Sequence, residues 1–96
     1  MTDYVLAPAA VEDLDQIWLH IARDSIDAAE RVLDELEAAC ALLAGRSHAG
    51  HIREDLADAS VRFWSVRSYL IVYRPDRVPL EIVRFWHGAR GTPNLL

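Results

Sequence analysis

Tyr69-Leu70-Ile71-Val72-Tyr73-Arg74 (residues 69–74) is an unbroken run of aromatic, aliphatic and β-branched side chains that ends at Pro75-Asp76-Arg77-Val78-Pro79, after which Leu80-Glu81-Ile82-Val83-Arg84-Phe85-Trp86 (residues 80–86) resumes the same character. Such side chains suit a pleated, half-buried surface, whereas Pro and Asp favour turns. Upstream, residues 61–66 share the composition and are separated from 69–74 only by Arg67-Ser68. The three runs predict an antiparallel meander.

The faces of these strands carry the next inference. Leu70 and Val72 point one way and Tyr69, Ile71 and Tyr73 the other; by the same alternation Leu80, Ile82 and Trp86 oppose Val83 and Phe85. An antiparallel sheet with one wet face alternates apolar with polar, and here both faces are apolar. A helical layer can cover one of them, and nothing further in the chain is evident to cover the other. The pattern therefore predicts either self-pairing or a separate chain laid on the sheet.

Working towards the N-terminus, residues 46–59 are polar and read as a loop with a short turn near Glu54-Asp55-Leu56. Before it, Ala29, Val32, Leu33, Leu36, Ala39, Cys40 and Leu43 recur at helical spacing over residues 27–44, with Asp27 and Glu30 at the spacing of a capping box and Gly45 as the stop. An earlier helix over residues 8–23 begins at Pro8, whose missing N–H costs nothing there, and its inward face is Ala10, Leu14, Ile17 and Ile21. Leu19 falls among Glu12, Asp15, Gln16 and Arg23, where an apolar side chain has no internal purpose, and is a candidate partner contact. Tyr4-Val5-Leu6 forms a short strand. The expectation is one α+β domain over residues 1–96: an N-terminal strand, an antiparallel helical hairpin, then a three-stranded antiparallel meander in one sheet.

Composition narrows the functional classes. The net charge of −5 opposes the phosphate-binding footprint of a nucleic-acid binder, so no direct nucleic-acid binding is expected. Acids crowd the first half and arginines the second; all ten basic residues are arginine. The longest apolar candidate, residues 38–45, is far short of a membrane span, and Met1-Thr2-Asp3-Tyr4 carries no export pattern, so a cytoplasmic location without membrane contact is expected. The single Cys40 suits a reducing compartment and reads as core. His48 and His51 flank Gly50 without further ligands nearby, so neither a metal nor a cofactor is expected.

The order of elements, with Tyr4-Val5-Leu6-Ala7-Pro8-Ala9-Ala10 leading to Asp13-Leu14-Asp15-Gln16-Ile17-Trp18, then 29–36, Val61-Arg62, 69–74 and 82–90, resembles the ParE branch of the RelE/ParE toxin superfamily over nearly the whole chain. The resemblance implies a toxin of a type II toxin–antitoxin pair, bound in a hetero-oligomer by a ParD-like antitoxin, with DNA gyrase as the target of the well-known members. Leu19, Trp64, Tyr69, Ile71 and Tyr73 are the candidate antitoxin contacts. Arg74, Arg84, Trp86, His87 and Arg90 are the candidate target contacts, although Arg74 and Arg84 could equally bind antitoxin carboxylates or the acidic helices of their own chain. The superfamily also contains RelE-like ribosome-dependent mRNA endoribonucleases whose sites are rich in lysine and arginine. Without lysine, the only trio this chain offers such a chemistry is Glu54, Arg62 and His87, and a non-toxic antitoxin-binding module is a third possibility.

Overall fold

The computed structural model describes residues 4–55, 57 and 59–88. Its elements run β1 (Tyr4–Leu6), α1 (Pro8–Ala22), α2 (Ile26–Gly45), β2 (Arg62–Val66), β3 (Tyr69–Arg74) and β4 (Leu80–His87). The expected α+β fold is present. All four strands lie in one sheet of order β1-β4-β3-β2, in which β1 pairs parallel with β4 and the other pairs are antiparallel. A parallel pair needs a long crossover, and the helical hairpin with β2 and β3 supplies it.

Helix α1 starts at Pro8 without a side-chain cap. Helix α2 starts earlier than the Asp27–Glu30 spacing suggested: Ser25, in extended backbone, accepts from the Ala28 N–H at 3.1 Å, so the cap is Ser25 and no capping box forms. The inward stripe of α2 (Ala29, Val32, Leu36, Cys40, Leu43) is buried, and with Ala10 and Ile17 of α1 it meets Tyr69, Ile71, Tyr73, Leu80, Ile82 and Phe85 of the sheet.

Simple alternation fails in β4. Val72 stands opposite Arg84 while Tyr73 stands opposite Ile82, which leaves Val83 as the extra residue of a β-bulge. A bulge lets two successive residues oppose one and shifts the phase of everything after it. Phe85 thereby joins Leu80 and Ile82 under the helices, whereas Val83 packs with the cluster on the opposite side and Trp86 pairs with Leu70. The pairing of Phe85 with Val83, and of Trp86 with Ile82, that alternation suggested is therefore wrong beyond Ile82. Tyr69, Ile71 and Tyr73 are likewise not a free face: at 8%, 0% and 0% exposure they lie beneath the helices and are unavailable as antitoxin contacts. Two apolar faces look alike in the sequence, and packing alone chooses between them.

Nor is the opposite face left bare. Ala57, from the stretch expected to be a polar loop, and Val61, expected to open the strand but lying just ahead of β2, pack on Phe63 and Val72, with Leu70 and Val83 partly buried beside them. This stretch is tied down at its start. His51 and Phe63 exchange two backbone hydrogen bonds of 2.8 Å, the Gly50 N–H donates to the Tyr73 hydroxyl at 2.8 Å, and Arg62 Nη1 donates to the Gly50 carbonyl at 2.8 Å. Only glycine fits at residue 50, because a Cβ there would stand 2.5 Å from the Tyr73 hydroxyl oxygen and 2.9 Å from the Phe63 carbonyl oxygen. Gly50→Ala should thus lower the melting temperature by roughly 5–15 °C, as expected of overpacking in a domain of this size. Gly45→Ala, where a Cβ meets nothing within 4 Å, should change it little. Equal melting of both variants in a calorimetric scan would contradict the packing around Tyr73.

Candidate functional site

Helix α1 carries an acid on its apolar stripe. Asp13 follows Ala10 by three residues and precedes Ile17 by four, so helical geometry turns it inward. It is the one buried charged residue among those described, at 8% exposure. The reason lies in the sheet. Strand β1 has three residues and β4 has eight, so β1 covers only Leu80 to Ile82 before Ala7 donates to the Ile82 carbonyl at 2.9 Å and the chain turns into α1. Further along β4, the Phe85 N–H donates to Asp13 Oδ2 at 3.0 Å. The carboxylate takes the place of the acceptor that a longer β1 would have offered.

The bulge sets Arg84 beside this carboxylate. Arg84 Nε donates to Asp13 Oδ2 at 2.7 Å and Nη2 to Oδ1 at 3.0 Å, a two-pronged ion pair whose side chains are 28% and 9% exposed. The hydrogen bond to Asp13 raises the guanidinium pKa above its ordinary value. The Arg84 guanidinium carbon also lies 5.3 Å from the centre of the Trp86 ring, within range of a cation–π contact. Asp13, Arg84 and Trp86 form one connected unit from α1 to the far face of the sheet.

Of the residues expected at a target surface, Arg84 is engaged by its own helix, and its first task is structural. The arginine was legible as an important charge; its partner was not, since Asp13 read as one acid among many. Its place on the stripe between Ala10 and Ile17 was the signal that could have found it. Arg74 lies on the same face of the sheet, with Nε 3.1 Å from Glu81 Oε1. Trp86 is half-buried there, next to Arg84. His87 ends β4 with its ring centre 4.8 Å from that of Tyr69. Arg90 lies outside the described residues.

The trio Glu54, Arg62 and His87 is not brought together. Arg62 stands opposite Tyr73 and His87 opposite Tyr69, four residues away on β3, which is about 13 Å along the strand alone. Glu54 sits in an exposed turn past His51. Arg62 spends a guanidinium nitrogen on the Gly50 carbonyl, which makes it a strut for the loop. No group of three or more His, Cys, Asp or Glu side chains that could hold a metal occurs among the described residues. Cys40 is no nucleophile, because burial and then the nearby Glu37 push its thiol pKa up to about 12. Leu19 stands 58% exposed, and Trp64 is partly buried against the main core.

These features define a small α+β domain, a helical hairpin on a four-stranded mixed sheet, with arginine and tryptophan on the face away from the helices and none of the nominated acid–base groups assembled. The chain belongs to the family of ParE toxins of type II toxin–antitoxin systems (parDE), whose model matches residues 4–91. It is similar in fold to a solved structure of the chromosomal ParDE TA system from P. aeruginosa, with a TM-score of 0.73 and 18% sequence identity, over 91% of this chain and 96% of that one. No curated protein matches it. No helix among the described residues is long and apolar enough to cross a membrane.

Two outcomes are expected. Asp13→Ala strands the Phe85 N–H, and Arg84→Ala strands a nearly buried carboxylate, so each should cost about 2–3 kcal/mol; the double variant should cost well under the sum, and additive losses in urea unfolding would show that the two groups act independently. The folded Cys40 thiol ionises near 12 against an ordinary 9.0, so the unfolded chain loses its proton first. That contribution to stability is whole below the lower value and declines as pH rises through this window. Labelling of Cys40 by a thiol reagent at neutral pH should require unfolding.

Proposed function

We propose that this toxin works by binding and not by catalysis: it holds DNA gyrase in the cytoplasm and is kept silent by a ParD-like antitoxin in a hetero-oligomer. The observation that carries the choice is the separation of Arg62 from His87 along β3, which leaves the nominated nuclease groups apart. The absence of lysine in the chain points the same way. Arg74, Trp86 and His87 are the target contacts in this reading. Arg84 contributes by holding Trp86 in place, and Arg90 belongs to the same set from outside the described residues. Leu19 and Trp64 are the antitoxin contacts that remain from the sequence, now joined by the half-buried Leu70 and Val83 of the face away from the helices.

Tryptophan and arginine beside each other are the residue types that concentrate binding energy at protein interfaces. An arginine already paired within its own chain is also positioned in advance, so less side-chain freedom is lost when a partner arrives. In a purified assay, supercoiling by gyrase should fall as the toxin is added and recover with antitoxin. Trp86→Ala and Arg74→Ala should each raise the dose required by roughly ten-fold or more. Induced cells should filament with their ribosome-bound messages intact. Codon-specific cuts in ribosome-bound mRNA that vanish in His87→Ala, with gyrase unaffected at the same dose, would instead establish the endoribonuclease reading.

A further inference from the structure

The β2–β3 hairpin turns through Arg67-Ser68, and Arg67 has φ of 54°. In two-residue hairpins a positive φ at the first central position is the place of glycine. Other L-residues are strained there because Cβ crowds the backbone. Arginine gains little inside its own chain in return. Its Nε donates to Glu35 Oε1 at 3.0 Å and its Nη2 lies 2.6 Å from Glu35 Oε2, but the two side chains are 57% and 43% exposed, and ion pairs so open to water contribute little. A glycine would relieve the turn, yet a guanidinium stands there. Residues that break a local rule without an internal return are those to examine for function.

The turn that carries the guanidinium is anchored: the hairpin ladder holds its two ends and the Gly88 N–H donates to the Ser68 carbonyl at 2.7 Å, while Glu35 of α2 meets the side chain itself. Glu35 uses the Nε and Nη2 side of the fork, and guanidinium has five N–H donors. Among the described residues, Glu35 meets Arg67 through Nε and Nη2, so the Nη1 side of the fork offers a second carboxylate a planar edge to meet. A net charge of −5 over the chain opposes the many phosphate contacts on which binding to a nucleic acid depends.

We propose that Arg67 at the β2–β3 tip is an anchoring residue for a carboxylate side chain of the antitoxin, an inference that rests on the antitoxin reading above. The test measures binding of the purified cognate antitoxin to the full chain, together with thermal unfolding of each toxin variant alone. Arg67→Gly should raise the melting temperature by about 3 °C through relief of the turn while weakening antitoxin binding by roughly ten-fold or more. Arg67→Lys keeps the charge and the strained turn but loses the fork, and should bind between the two. A residue that merely supported the fold would lose stability and binding together. Arg67→Gly that binds as tightly as the unaltered chain, or that melts lower than it, overturns the proposal. Failure of the unaltered chain to bind antitoxin overturns the reading beneath it as well, and so is distinguishable from failure at Arg67 alone.

Discussion

Strand β1 is three residues long and β4 is eight, and the fold is organised around that mismatch. A central strand that outruns its neighbour leaves backbone donors without acceptors, and burying them unpaired would cost as much as a small domain's margin of stability allows. Asp13 closes the gap by accepting from the Phe85 N–H. A carboxylate needs compensation of its own when it leaves water, and Arg84 provides it with two donors. One helix position thus ties α1 to β4 and holds Arg84 in place.

The bulge at Val83 belongs to the same arrangement. Without it, β4 would alternate regularly, Phe85 would leave the core, and the helical layer would lose a large apolar side chain. With it, Leu80, Ile82 and Phe85 all pack beneath the helices, while Val83 and Trp86 are left for the other side. Arg84 sits immediately beyond the irregularity, close enough to the strand's edge to reach Asp13 and close enough to Trp86 for its charge to lie against the ring. Structure and candidate function meet here, since the interaction that satisfies the open edge also steadies the aromatic residue proposed to meet the target.

The second apolar face is managed differently. The stretch after α2 returns along β2, bridges it at His51 and Phe63, and brings Ala57 and Val61 onto Phe63 and Val72. The bridge also occupies the outward hydrogen-bonding groups of Phe63, which blunts an edge that would otherwise recruit strands from other chains. Cover is partial: Leu70, Val83 and Trp86 remain only half-buried, on the face opposite to Tyr69, Ile71 and Tyr73.

Sequence by itself determined the element order, the strand and helix types and nearly all their limits, because these follow from local chemistry: side-chain periodicity, turn residues between strands, and a proline at a helix start. The family was legible for the same reason, as an order of such segments. Tertiary structure decided which face the helices would take, since hydropathy alone would rank Leu70 and Val72 above Tyr69, Ile71 and Tyr73, and it is the latter that lie in the main core. It decided the partner of Arg84 too, across 71 residues of chain, and the separation of Arg62 from His87 across the sheet. Pairing and register bring distant residues together or keep them apart, and a one-residue bulge was enough to invert the faces of β4, because a strand's side chains repeat every two residues and any odd insertion reverses all that follow.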